Sequence, residues 1–413
     1  MVLGLHHELP TILQKKSDNF TRPFVFQNCF NDEFISFNDV SRVINNLQDK
    51  TIYQKNIRLY LGPGLAPREI VSHYLKPIRD REDIEEWSSR VFGSSPFGLI
   101  INNCQLFHDP LSPRIAALCD QIYRLVGFPP GGIQAALFIG NYGYTPFGVH
   151  RDRDERFIIH AHLGPASKTM TLWDPKDFRK ITGSTASFFD PDSISAFGIH
   201  SEFGRGDMYV LPADFYHIGH TNGLSVGLAI AFVDLSNRQL ISRALEIIRH
   251  NSRFSINLET DWLAPDRKCL RDIAATLFES KNYLESKSID YKLSDAVIDY
   301  QMLLRSNHGF RGPPEEIRVN ESMPSIVKIK APFKLYWRRN NQSLRIYIRQ
   351  RLFELSLSEI RTLREKCLIF DILEHLNSGR PLETRKVSQI PSAHQLLYRL
   401  LQWQAVDPEV GFA

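Results

Sequence analysis

Six histidines lie between residues 150 and 220: His150, His160, His162, His200, His217 and His220. In the run GVHRDRDERFIIHAHL a single residue separates His150 from Asp152. On an extended strand two such side chains leave the same face and reach one ion. A third donor must come from elsewhere in the chain, and GDMYVLPADFYHIGH offers His217 after a strand and a proline turn. Two imidazoles and one carboxylate on one face of an octahedral ion leave three positions open, the arrangement that suits non-haem Fe(II) activating oxygen. Asp154 has the parity of Asp152 and is the alternative carboxylate. His160 and His162 share the face of His150 if the strand runs straight, with substrate contact and structural hydrogen bonding both open to them. His220 should point elsewhere. Arg151, Arg153 and Arg156 alternate with the acids and read as a solvated or ion-paired face, and Trp173 reads as core.

The elements around these residues read as a β-rich unit. From Gly132 to Asp234 short apolar or alternating runs (IQAALFIG, KTMTLWD, ISAFGIH, DMYVLPA, SVGLAIAFVD) are separated by Gly, Pro, Asn and Asp. That spacing suggests an antiparallel sandwich or small barrel, with no helix-length periodic segment interrupting it. Ahead of it, residues 23–30 read as short strands or turns, and helices are expected over 32–47, 67–75 and 82–91, the last opened by Asp83 and Glu85 and stopped by Gly93. After Asp234 three segments carry helical periodicity: NRQLISRALEIIRH, DRKCLRDIAATLFESKNYL and LSDAVIDYQMLLRS. A GFRGPPEE turn follows, then strand-like IVKIK, KLYWRR and LRIYIRQRLFEL, then two helices. Strands plus a helix pair fit a winged-helix-like module. The fold class is therefore α+β, with a catalytic unit at 1–235, a helical segment at 236–313 and a winged-helix-like domain at 314–413.

Composition bounds the rest. The chain has 413 residues, 43% hydrophobic and 23% charged, which excludes collagen-like, low-complexity and wholly disordered classes. There is no apolar run of membrane-spanning length and no basic-then-apolar leader, so a soluble cytoplasmic protein with no membrane contact is expected. Cys29, Cys104, Cys119, Cys269 and Cys367 are too scattered for a CxxC motif and are expected to be buried, reduced thiols. Between Arg318 and Arg351 nine Lys or Arg face the single acid Glu321, although the formal excess of the whole chain is only +4. Such a stretch suits nucleic acid, an acidic protein partner or a leader peptide. Tyr336, Trp337 and Tyr347 lie within it, able to stack bases or to form one buried strand face.

Taken together, His150-x-Asp152, a lysine sixteen residues beyond, Gly206-Asp207, Pro212, His217 and Ser225-Val226-Gly227 resemble the JmjC/cupin-type 2-oxoglutarate oxygenases, most closely the bacterial ribosomal-oxygenase branch. Phe157-Ile158-Ile159-His160 stands where the family has an FIIQ-like strand, and the resemblance spans roughly residues 20 to 235. It implies a double-stranded β-helix (cupin, jelly-roll) barrel with His150, Asp152 and His217 as Fe(II) ligands and 2-oxoglutarate as cosubstrate. It further implies that Lys168 grips the distal carboxylate of 2-oxoglutarate, with hydroxyls from Tyr142, Tyr144 and Thr145 facing the same group. The turn HLGPAS before the lysine is longer than the family's. The domain order also resembles that branch, which implies a homodimer built through the helical segment.

The expected function is Fe(II)- and 2-oxoglutarate-dependent hydroxylation of a protein or peptide side chain. The competing readings are a non-catalytic metal-binding cupin with a regulatory or binding role, and an oxygenase acting on a small molecule or nucleic acid.

Overall fold

The runs between Gly and Pro punctuation fold into two antiparallel sheets, seen in a computed structural model that describes residues 4–47, 55–251, 286–319, 323–339, 343–358, 360 and 362–409. The strands are β1 (Phe24–Phe26), β2 (Ile57–Leu61), β3 (Gly64–Leu65), β4 (Phe97–Asn102), β5 (Ile133–Gly140), β6 (Gly143–Tyr144), β7 (Glu155–Pro165), β8 (Lys168–Trp173), β9 (Ile199–Phe203), β10 (Met208–Pro212), β11 (Tyr216–Thr221) and β12 (Ser225–Val233). One sheet has the order β1-β10-β7-β12-β5-β4-β2-β3 and the other the order β6-β11-β8-β9.

Strand alternation decides what each sheet buries. In β7, Phe157, Ile159, Ala161 and Leu163 pack outward with Ile115, Leu118 and Ile122 of the helix Leu111–Val126. Ile158 points the other way and meets Met170, Leu172 and Phe203 of the second sheet. The same alternation in β12 sends Val226, Leu228, Ile230 and Phe232 to the helix-covered face. Its inward positions carry Gly227, Ala229 and Ala231, and β5 adds Ala136. Large residues outside and small ones inside leave space between the sheets, and the cavity lies there.

The lead-in helices follow their caps. Ser36 and Asp39 form a capping box for Phe37–Asn45, and Asp83 with Glu86 does the same for Ile84–Phe92, which ends at Gly93 with φ +63°. The first is shorter than the apolar period over 32–47 suggests, because its N-cap is Ser36. A third helix spans Arg68–Tyr74.

The expectation of an uninterrupted β region fails at one point: the helix Pro175–Thr182 separates β8 from β9. Asp174 caps it, Pro175 fills its first position and Gly183 ends it with φ +68°. At two turns it is too short to show a period. ISAFGIH is likewise only partly a strand, since Asp192–Phe197 forms a 3₁₀ turn before β9.

Helices Asn237–Asn251 and Ser286–Ser306 pack against each other; the expected helix over 266–284 and Cys269 fall outside the described residues. The C-terminal part has its own hydrophobic core, including Leu344, Ile346, Ile372, Leu396 and Leu400. It contains a three-stranded antiparallel sheet (Tyr336–Arg339, Ser343–Ile348, Arg351–Ser356), a second small sheet centred on Ile326–Ile329, and helices Leu363–Asn377 and Pro391–Gln402.

The basic run turns inward. Arg338 and Arg345 bind Asp295 and Asp299 of the helix Ser286–Ser306 at 2.6 to 3.2 Å, and Tyr347 donates to Asp299. Lys330 pairs with Asp109, Arg351 with Glu316 at 3.4 Å and Lys328 with Glu409 at 3.8 Å. Arg349 is buried over the Phe333 ring with Asp109 at 3.9 Å. Only Arg318, Lys334 and Arg339 of the nine have no ion pair among the described residues. The stretch thus holds the C-terminal unit to the rest of the chain, which removes most of the charge on which a nucleic-acid reading rests. Cys29, Cys104 and Cys119 are buried, and burial pushes each thiol up. Cys367 is exposed, contrary to expectation.

Candidate metal centre and adjoining cavity

His150 and His217 meet across a single antiparallel bridge. The His150 amide donates to the His217 carbonyl at 3.1 Å and the His217 amide to that of His150 at 2.8 Å. Residues opposed in this way place their side chains side by side, and the imidazole centroids are 4.4 Å apart. Asp152 lies beyond the bridge in an irregular stretch, for β7 begins only at Glu155. Parity on a continuous strand is therefore not what brings Asp152 to His150. The chain bends between the bridge and β7, and the carboxylate still faces both rings.

Asp152 Oδ1 is 3.6 Å from His150 Nε2, and Oδ2 is 3.6 Å from His217 Nε2. Those separations exceed hydrogen-bond length, so the three donors do not satisfy one another. All three ligand atoms lie within 4.8 Å of each other. Each ring has its other nitrogen occupied: His150 Nδ1 donates to Gly148 O at 3.0 Å and His217 Nδ1 to Phe215 O at 3.2 Å. Such backbone contacts fix the tautomer and leave the Nε2 lone pair free for a metal. Burial, reinforced by His150, lowers His217 to about 3, so this ring stays neutral near pH 7. Burial also raises the Asp152 carboxyl, against the pull of His150 and Arg58.

The cluster borders a cavity of about 360 Å³ between the sheets, lined also by Phe138, Ile158, Met170 and Leu211. Lys168, the first residue of β8, is 5% exposed and lines it. Its Nζ is 5.4 Å from the Phe138 ring centroid and 6.0 Å from that of Tyr142. No carboxylate pairs with it among the described residues. Gly219 lets the lysine lie there, because a Cβ at 219 would come within 2.7 Å of Lys168 Cε. Thr145 is buried on the same wall, its Oγ1 accepting from the Gly219 amide at 3.3 Å. His160 lines the cavity with a buried Nε2 that has no hydrogen-bond partner among the described residues, and the Tyr142 hydroxyl is likewise buried and unpartnered.

Several expected neighbours lie elsewhere. Tyr144 is outside the cavity lining; its hydroxyl donates to Asp192 at 2.6 Å, and that bond lifts its pKa to about 12. Asp154 accepts from Gln239 Nε2 at 2.7 Å and is not in the metal cluster. His162 donates to Ala166 O at 2.7 Å, a structural bond. His220 packs on the Tyr144 ring, on the face of β11 opposite His217. Trp173 is core, its Nε1 donating to Ile194 O at 3.0 Å. The sequence reading missed Arg58 and Glu155, which also line the cavity. Arg58 sits in the lead-in and had no local signal. Gly219 was legible as the residue two beyond His217, hence on its face.

Solved structures share this architecture, among them those of a protein described as a ribosomal oxygenase. Among the solved structures that the chain matches are several of YcfD from Escherichia coli. One, described as a ribosomal oxygenase, aligns with a TM-score of 0.52 at 14% identity over 99% of this chain and all of the other. Another, of YcfD with cobalt and 2-oxoglutarate, aligns with a TM-score of 0.51 at 14% identity, covering 98% and 99% of the two chains. At that identity the likeness shows a shared fold. The sequence matches no protein-family model and no curated protein.

Proposed function

We propose that the protein is an Fe(II)- and 2-oxoglutarate-dependent oxygenase that hydroxylates a side chain of a protein or peptide. The observation that carries this reading is the convergence of His150, Asp152 and His217 beside a cavity containing a buried lysine with no ion-pair partner among the described residues. The donor set fits a divalent ion that keeps positions open for a chelating cosubstrate and oxygen. With iron and 2-oxoglutarate bound, the centre would couple decarboxylation of the cosubstrate to succinate with transfer of one oxygen atom to a substrate carbon.

The chain's own groups then have distinct tasks. Lys168 Nζ, held among apolar walls, orients the distal carboxylate of 2-oxoglutarate through a charge-assisted hydrogen bond, with Thr145 Oγ1 beside it. The unpartnered His160 Nε2, in the cavity lining, is a polar group that a dianionic ligand would satisfy, whereas Tyr142 is outside the lining. Phe138, Ile158, Met170 and Leu211 form the apolar part of the cavity wall. The jelly-roll barrel, the unit boundaries at 235 and 313 and the winged-helix-like character of the last hundred residues belong to this proposal. Because Lys168 points into the cavity and not to solvent, the reading is favoured over a non-catalytic metal-binding cupin.

YcfD is named a ribosomal oxygenase, which supports a ribosomal protein as the first substrate to try. Among the described residues no helix is long and apolar enough to cross a membrane; a cytoplasmic location is part of the proposal and rests on the likeness to a ribosomal oxygenase. Ile241, Leu245 and Ile298 of the packed helices Asn237–Asn251 and Ser286–Ser306 are exposed, which supports pairing of two chains there. The test is succinate formation coupled to oxygen uptake, with His150→Ala as control and mass spectrometry of the substrate for the gain of one oxygen atom. Turnover retained in His150→Ala would overturn the triad.

A further inference from the structure

A second, larger cavity opens beside the metal centre, and His150 and Asp152 line both. Its other walls are the stretch that carries Arg151 and Arg153 and the face of the helix Pro175–Thr182 that carries Lys176 and Arg179. The two helical cations are three residues apart and so project side by side. All four basic side chains are exposed, and none forms an ion pair among the described residues. Among the described residues the only carboxylate in the lining is Asp152, which the metal would engage. The contrast with the C-terminal basic run is direct. There the charges are largely neutralised by Asp, Glu and burial, whereas here four cations line one groove with no ion-pair partner among the described residues.

We propose that this groove seats an acidic stretch of the substrate polypeptide, so that the residue to be oxidised is flanked by aspartate or glutamate. The inference rests on the oxygenase reading and adds a substrate class to it. A side chain entering the inner cavity passes His150 and Asp152, and the chain on which it is borne must then lie against Arg151, Arg153, Lys176 and Arg179. Guanidinium and ammonium groups pair with carboxylates in that setting. Nucleic acid fits less well: among the described residues the one Phe, Tyr or Trp in the lining, Tyr216, is 5% exposed with Arg151 over its ring, a poor platform for a base.

The experiment uses the full chain loaded with Co(II) and 2-oxoglutarate, loading being followed by cobalt absorption. The probes are fluorescein-labelled oligoglutamate, oligolysine and oligouridine, titrated against the wild type, K176E/R179E and the milder K176Q/R179Q. Oligoglutamate should bind best, weaken as salt rises, and lose about tenfold or more in K176E/R179E with a smaller loss in K176Q/R179Q. Both substitutions sit at exposed helix positions, so unchanged melting temperatures report an intact fold. Oligoglutamate binding no tighter than that of the other peptide, or undiminished in K176E/R179E, would overturn the proposal. Tighter binding of oligouridine would overturn it in favour of nucleic acid. If cobalt and 2-oxoglutarate fail to load while oligoglutamate still binds, the oxygenase reading falls and the groove remains an acidic-peptide site. Normal loading without preference for glutamate removes the groove alone.

Discussion

Gly219→Ala separates the cosubstrate anchor from the stability of the barrel. A methyl group at 219 would lie 2.7 Å from Lys168 Cε, 3.3 Å from its Nζ and 3.4 Å from Thr145 Cγ2. The crowded atoms of Lys168 belong to the mobile end of a long side chain, so the lysine moves and the strands stay. Stability should fall by about 1 kcal/mol, the low end for overpacking, or roughly 2–4 °C in melting temperature. The displaced cation, however, no longer meets the distal carboxylate. A hydrogen bond to a charged group contributes about 1.5–3 kcal/mol, and each 1.4 kcal/mol is tenfold, so 2-oxoglutarate should bind about 10- to 100-fold more weakly. Calorimetric titration of 2-oxoglutarate into the Co(II)-loaded protein measures this. Lys168→Ala should do at least as much, and Gly219→Ala should add nothing in the Lys168→Ala background, because both remove one contact. Wild-type affinity in Gly219→Ala, or additive losses in the double variant, would refute the placement of the anchor.

Asp152→Ala should abolish stoichiometric Co(II) binding whereas Asp154→Ala, which breaks only the contact with Gln239, should leave it intact; cobalt absorption distinguishes the two carboxylates. Asp39 is buried at the start of the helix Phe37–Asn45, where burial opposes ionisation but hydrogen bonds from Arg114 and Ser36 prevail and hold its pKa below the ordinary 3.8. The stability it contributes is present above that value and is lost as pH falls through the lower folded value. Asp39→Asn should therefore cost about 2 kcal/mol in urea unfolding near neutral pH and progressively less as the medium is acidified below pH 3.8. Asp299→Ala removes one of the two carboxylates shared by Arg338 and Arg345, Asp295 remaining, together with the acceptor of the Tyr347 hydroxyl, and should destabilise the junction with the C-terminal unit by about 2 kcal/mol, seen as an earlier thermal transition. Light scattering tests the exposed apolar residues of the two helices: a two-chain mass for the wild type and a one-chain mass for Ile241→Glu/Leu245→Glu are expected.

The metal donors were legible because two of them sit almost together in sequence and the third follows a strand and turn that return it to the same edge. The reason given for the pair was nonetheless incomplete. His150 is positioned by its bridge to His217, and Asp152 by a bend that parity on a straight strand does not anticipate. The cavity was also written in the sequence, in the large–small alternation of SVGLAIAFV, but as a pattern of size within apolar residues it is invisible to a hydrophobic–polar reading. Tyr144 shows the converse: proximity in sequence to Thr145 says nothing about facing, since adjacent strand residues point to opposite sides. Arg58 and the carboxylate partners of the basic run lie far away in the chain. Charge counted along the sequence therefore indicated an exposed basic surface where folding makes a set of internal ion pairs.

The central claim is that three side chains hold one ion next to a 2-oxoglutarate site. Adding 2-oxoglutarate to the anaerobic Fe(II) protein should produce a visible metal-to-ligand charge-transfer band that saturates at one iron and one cosubstrate per chain. The band should be absent from His150→Ala and His217→Ala. Its persistence in either variant, or 2-oxoglutarate binding that is indifferent to iron, would contradict the account.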